Sequence, residues 1–175
     1  MNSKTSDSIK KRVKPNDIFY TPIELVKVHL NYIKEYVDEN DIILDGFFGT
    51  GNYYNTFAEV FDKNNTFDYT EIELGLDFFN YDKKVNIIIS NPPYSIIDKI
   101  LQHSVKLQPH TISYLIGQHN LTNKRIEYMN NNGYYLSKLY FTKIYEWYGM
   151  SIIVVFTKKA QHNCIDFDRT IWRVK

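Results

Sequence analysis

Four consecutive residues, Asn91-Pro92-Pro93-Tyr94, are the part of this 175-residue chain best suited to chemistry. They follow an apolar, β-branched run, Val85 to Ser90, that reads as a buried parallel strand. Two prolines there are costly for a sheet, because neither can donate to the ladder. They also fix the backbone and hold the Pro92 carbonyl in a set direction with no competing amide donor. An Asn side-chain oxygen beside that carbonyl gives two acceptors aimed at one spot. Such a pair suits an NH2 group on a planar ring, with Tyr94 stacking on the ring's face. Two other stretches carry unusual residues. Asp45-Gly46-Phe47-Phe48-Gly49-Thr50-Gly51 is a turn whose glycines let the backbone pass close to a ligand, ahead of a helix N-terminus that favours electron-rich groups. Glu71, or Glu73 if the preceding strand runs longer, is placed to accept hydrogen bonds from both hydroxyls of a ribose. Asp77-Phe78-Phe79 offers an acceptor beside an aromatic face, suited to an adenine's amine and ring.

The elements that must position these groups alternate along the chain. Residues 1–16 read as a mobile basic arm, and residues 17–175 as a single domain. Thr21-Pro22-Ile23-Glu24 has the form of a capping box with Pro in the first turn, and Val26, Leu30, Ile33 and Val37 follow at helical spacing. Asp41 to Asp45 reads as a first strand. A helix follows with Tyr54, Phe57, Ala58 and Phe61 on one face, then a second strand over Thr66 to Thr70. After the third strand, Ser95 caps a helix bearing Ile96, Ile97, Ile100 and Leu101. Thr111 to Ile116 is strand-like and Thr122 to Met129 helix-like. Two β-rich stretches, Tyr134 to Ile144 and Ser151 to Thr157, form a closing hairpin. The alternation predicts an α/β domain with a mostly parallel sheet and an antiparallel C-terminal hairpin. In such a sheet the ligand site lies beyond the carboxyl ends of the strands, the edge shared by all three chemical stretches.

Composition excludes several classes. Hydrophobic residues at 43% and charged residues at 23% describe a globular chain, not a disordered one. One cysteine, Cys164, excludes disulfide scaffolds and cysteine zinc knuckles and fits a reducing, intracellular setting. No apolar run approaches the roughly 20 residues of a membrane span, and the first 14 residues lack the apolar stretch of a secretory signal. The five histidines, His29, His103, His110, His119 and His162, have no metal spacing, so no metal is expected. The net charge of +1 hides an asymmetry. Residues 1–34 hold seven basic against three acidic side chains, residues 135–175 the same, and the acidic middle seven against fourteen. Basic ends around an acidic centre fit polyanion contact at the edges, and Lys10-Lys11-Arg12 with Lys14 offers a grip on phosphates.

Asp-Gly-Phe-Phe-Gly-Thr-Gly followed by Asn-Pro-Pro-Tyr resembles the S-adenosylmethionine-dependent amino-methyltransferases that act on adenine in nucleic acids. Phe19-Tyr20-Thr21-Pro22 is similar to that family's N-terminal cofactor motif. The run from Glu71 to Phe79, with Asn-Pro-Pro-Tyr-Ser close behind, looks most like small adenine-specific DNA methyltransferases of phage and virus type, whose closing aromatic–Gly segment is similar to Trp147-Tyr148-Gly149. The resemblance covers roughly residues 17–160 and implies a Rossmann-like class I methyltransferase fold with S-adenosyl-L-methionine as cofactor. By position it implies Asp45, Phe47 and Gly49-Thr50-Gly51 along the cofactor's methionine part, Glu71 on the ribose, and Asp77-Phe78 at the adenine. Tyr20, Thr21 and Pro22 would close over the methionine end. Asn91, Pro92, Pro93 and Tyr94 would form the catalytic motif, with Tyr94 and Trp147 stacking on the target base.

Two departures stand out. Gly46 replaces the Pro usual in the first motif, and the interval from Glu71 to Asp77 is short, so the helix and strand usual there must be abbreviated. The reaction implied is direct displacement of methyl from a sulfonium to an amine nitrogen. Acceptors at Asn91 and Pro92 would favour a more tetrahedral nitrogen and stabilise the arriving positive charge. A duplex base must be flipped to reach such a pocket, whereas a single-stranded RNA base need not be. DNA is the expected partner, with RNA left open, and a non-catalytic nucleic-acid binder of the same fold is the rival reading. No length remains for a separate target-recognition domain, so specificity falls to short loops, the basic ends, a second copy or a partner subunit.

Overall fold

The computed structural model describes residues 20–144, 147 and 149–164. The basic arm over residues 1–16, Phe19 and Tyr148 lie outside the described residues. Six strands form one sheet in the order β2-β1-β3-β4-β6-β5: β1 Ile42–Asp45, β2 Thr66–Tyr69, β3 Ile87–Ser90, β4 Thr111–Gly117, β5 Tyr135–Thr142 and β6 Ser151–Thr157. The first four are parallel, β6 runs antiparallel to β4, and β5 pairs antiparallel with β6. This is the expected α/β architecture. Four helices cover the sheet: α1 Ile23–Ile33, α2 Asn52–Val60, α3 Ile97–Lys106 and α4 Asn123–Asn131. None of the described helices is long and apolar enough to cross a membrane.

The apolar strands sort their side chains by alternation. Ile43, Ile87, Ile89, Leu115, Ile153 and Val155 pack with Val26, Leu30, Ile33, Tyr53 and Phe57 of α1 and α2. Leu44, Ile88, Ile112, Tyr114, Ile152 and Val154 face Ile97, Ile100, Leu101, Ile126 and Met129 of α3 and α4. Both faces of β3 and β4 are covered, so every residue in them is buried. Each buried isoleucine of β3 contributes on the order of 2 kcal/mol.

Local rules misplace some details. Pro22, not Thr21, precedes the first turn of α1, and no side chain caps it. Thr21 is instead buried, with its carbonyl accepting from Asn52 Nδ2 at 2.8 Å. Ile96 precedes α3 without a side-chain cap, because Tyr94–Ile96 forms a 3-10 turn that displaces Ser95 from the capping position. The buried face of α2 is Tyr53, Thr56 and Phe57, and Ala58 is exposed. The Tyr53 hydroxyl meets buried His29 at 2.8 Å, and that contact sets the helix's rotation. Between β2 and β3 there are only two 3-10 turns, Ile72–Leu74 and Phe78–Asn80, so the short interval adds no strand and β2 is the sheet's edge.

Candidate functional site

Strand β1 sits between β2 and β3, and the chain leaves it toward one side and later returns to the other. Such a switch point splays the following loops apart and opens a crevice at the carboxyl edge. A cleft lies there, with a cavity volume of about 270 Å³ and a mouth open to solvent. Its walls are Tyr20, Thr21, Phe47, Phe48, Gly49, Thr50, Asn52, Tyr53, Glu71, Ile72, Glu73, Asn91 and Pro93.

The turn after β1 is stitched to β2. Phe48 N donates to Thr70 O at 3.0 Å, and Thr70 Oγ1 donates to Gly46 O at 2.5 Å. The two phenylalanines pin it on opposite sides. Phe47 packs on Phe78 with centroids 4.9 Å apart, and Phe48 on Tyr69 at 4.5 Å. Gly51 has φ +79, and a Cβ there would stand 2.6 Å from Phe48 Cζ, so its glycine is a packing requirement. Gly49, also left-handed, is exposed in the cleft wall.

Glu71 braces this turn. Its Oε2 accepts from Gly49 N at 2.7 Å, and its Oε1 accepts from Glu73 N at 3.3 Å. Two backbone donors hold the carboxylate at the cleft wall, whereas the Glu73 side chain is exposed. Asn91 is half-buried, and its Oδ1 accepts from the Tyr94 hydroxyl at 3.2 Å, which fixes the rotation of the amide. Pro93 lies in the wall, and Pro92 is buried behind it. The Tyr94 ring is half-buried against the α3 and α4 side of the core.

Asp45 ends β1 beneath the turn and is fully buried. Its Oδ1 accepts from Ser90 Oγ at 2.7 Å and from Phe47 N at 3.3 Å; the Tyr54 amide also acts on the carboxylate, and Oδ2 makes no close hydrogen bond. Burial pushes its carboxyl up to about 7. The Thr21 hydroxyl, also buried in the cleft wall, lies beside the Tyr53 hydroxyl without a close hydrogen bond. Unmatched buried oxygens are costly unless a ligand or water satisfies them, so the Thr21 oxygen in the wall fits a site that takes a polar ligand.

Eight of the expected residues meet in the cleft: Tyr20, Thr21, Phe47, Gly49, Thr50, Glu71, Asn91 and Pro93. Pro22, Asp45, Gly51, Pro92 and Tyr94 flank it without forming its walls. Two expectations need correction. Phe78 is 3% exposed, its ring under Gly46 and edge-on to His103, so it has no face to offer an adenine. Asp77 caps the 3-10 turn by accepting from Phe79 N, and it lines a separate hollow beside β2 with Asp68, Tyr81 and Lys83. Trp147 is 6% exposed and packs in the α1 and α2 side of the core, where no base can reach its ring. Sequence reasoning missed Phe48, Asn52, Tyr53 and Ile72. Tyr53 was readable from its spacing to Thr56 and Phe57; Ile72 is 71% exposed, a large apolar side chain beside Glu71 at the mouth.

An acid–histidine group lies at the opposite, amino edge of the sheet. There Asp41 Oδ2 accepts from Asp38 N and meets His110 Nε2 at 3.0 Å, while Asp38 pairs with Lys159. These contacts tie strand starts together, far from the cleft.

The sequence matches no family model and no curated protein. Solved structures do match. A Pyrococcus horikoshii protein assigned as an RNA methyltransferase aligns over 89% of this chain and 96% of its own, with 14% identity and a TM-score of 0.61. Magnesium protoporphyrin IX methyltransferase from Synechocystis PCC 6803, solved with S-adenosylmethionine bound, aligns over 90% and 92%, at 10% identity and a TM-score of 0.57. The methyltransferase subunit of a type I restriction-modification system from Streptococcus thermophilus aligns over 82% of this chain and 45% of its own, at 11% identity and 0.58. With this strand order and these neighbours, the chain has the Rossmann-like fold of the methyltransferases.

Proposed function

We propose that this chain binds S-adenosylmethionine in the cleft and transfers methyl to the exocyclic amine of adenine in DNA. The observation that carries the reading is convergence. The Gly-rich turn, an acid braced by two amides and the Asn-Pro-Pro motif come from three different strand ends, yet they share one cleft at the switch point. Glu71 would hold the ribose, and Thr21, Gly49 and Thr50 the methionine end. When bound, the cofactor supplies an electrophilic methyl group on a cationic sulfur. Asn91 Oδ1 and the Pro92 carbonyl accept from the target amine, which localises the nitrogen lone pair and stabilises charge developing on it. Tyr94 orients Asn91 through its hydroxyl and offers its half-exposed ring to the base. The cleft walls hold both reactants in line, which supplies much of the remaining rate.

The test is transfer of labelled methyl from S-adenosylmethionine to separate pools of DNA, RNA and protein. Label on the adenine amine of DNA is the expected result; label in RNA or protein alone would reassign the substrate. Asn91→Ala should lower transfer by about 10²- to 10³-fold, the usual loss for one such acceptor or donor. Cofactor affinity should stay within about twofold, since the residue acts on the target. Equal activity in the variant would remove Asn91 from the chemistry.

A further inference from the structure

His29 is fully buried in the middle of α1, and no reaction step described above uses it. Its two ring nitrogens are both engaged. Nδ1 lies 2.8 Å from the Tyr53 hydroxyl on α2, and Nε2 lies 2.7 Å from Ser113 Oγ on β4. Ser113 Oγ in turn donates to Val154 O at 3.1 Å on β6. These contacts form a chain with only one consistent direction. The Val154 carbonyl can only accept, so the single Ser113 proton goes there. Ser113 must then accept from His29, which places the imidazole proton on Nε2. His29 Nδ1 is left as an acceptor, and the Tyr53 hydroxyl has to donate to it. Burial holds the His29 pKa down to about 3, so the ring is neutral and keeps one proton.

The consequence falls on Tyr53, a residue of the cleft wall. Its only hydroxyl proton is committed inward to His29. The Thr21 hydroxyl lies beside that oxygen, and it, like anything else approaching there, meets lone pairs alone. Burial raises the hydroxyl's own pKa well above its ordinary value, so it stays protonated and fixed. We infer that His29 is a positioning residue that sets Tyr53 as an acceptor for a proton-bearing cationic group, so that this part of the cleft selects an ammonium and disfavours a carboxylate. For the cofactor proposed above, on which this inference rests, that group is the α-ammonium of the methionine part. The Thr21 hydroxyl, buried in the same wall beside Tyr53 and without a close hydrogen bond of its own, belongs to the same polar corner of the cleft. Four elements of the fold, α1, α2, β4 and β6, thus define the polarity of one atom in the site.

Binding of two probes tests this: S-adenosylmethionine, and the analogue in which hydrogen replaces the α-amino group. Tyr53→Phe should weaken S-adenosylmethionine by about tenfold, the loss of one hydrogen bond to a charged group, and leave the analogue within about twofold. His29→Leu should act likewise, and the double variant should be no worse than either single one, because both act through one oxygen. Nitrogen-15 spectra of the wild type should show His29 neutral with its proton on Nε2. Equal weakening for both probes, additive losses in the double variant, or a proton on Nδ1 overturns the inference while leaving the cofactor reading intact. Absence of any S-adenosylmethionine binding by the wild type overturns the cofactor reading and this inference together. Should His29→Leu fail to fold, Tyr53→Phe and the wild-type spectrum decide.

Discussion

Asp45 makes the stability of this protein depend on pH in a direction opposite to that of most acids. Salt-bridged carboxylates usually have depressed pKa values, so their proteins weaken in acid. Asp45 is fully buried, and burial pushes its carboxyl up to about 7, although bonds from Ser90 and from the Phe47 and Tyr54 amides pull the other way. The unfolded chain releases the same proton near pH 4. Between those values the native state binds more protons than the unfolded state, so stability falls as pH rises and levels off above about 7. A separation from about 4 to about 7 corresponds to about 4 kcal/mol in full, and about 2.5 kcal/mol of it falls between pH 5 and 8. Asp45→Asn keeps the shape and the acceptor for Ser90 but cannot ionise. Urea unfolding of both proteins at pH 5, 6, 7 and 8 isolates the effect, because other titrating groups are shared. The variant should gain on the wild type by about 2.5 kcal/mol across that range. A difference that does not change with pH would refute the reasoning, since Asp45 would then not titrate in the native state between those limits.

Three further substitutions test the packing. Gly51→Ala should cost about 2–4 kcal/mol, from left-handed backbone plus a methyl 2.6 Å from Phe48 Cζ and 2.8 Å from Asn55 Nδ2. Gly75 is left-handed too but has nothing within 4 Å of its added Cβ, so Gly75→Ala should cost only about 1 kcal/mol; equal losses in urea unfolding would remove the packing argument. Trp147→Ala should lower stability by about 3–5 kcal/mol, as for other buried aromatic deletions. If Trp147→Ala were as stable as the wild type yet lost methyl transfer, the core placement of Trp147 would be wrong.

The amino-acid sequence by itself determined the element order and the places where chemistry gathers. Buried β-branched runs ending at Asp45 and Ser90, and punctuation by Gly-rich and Asn-Pro-Pro turns, are local signals with one physical reading. They were enough to foresee a parallel sheet with an antiparallel end, and the structure has a cleft on the carboxyl edge where these residues gather. The tertiary structure decided what each side chain faces. Phe78 and Trp147 are aromatic residues beside motifs, and nothing local distinguishes a ring that meets a ligand from one that fills the core. Tyr53 rather than Tyr54 turns inward because His29, distant in sequence, offers its Nδ1. Thr21 gives up capping because its residue is drawn into the cleft wall, against the first turn of another helix. Periodicity sets the phase of a helix or strand to within a residue. Burial and hydrogen-bond partners, which come from elements far apart in the chain, choose among the phases that remain.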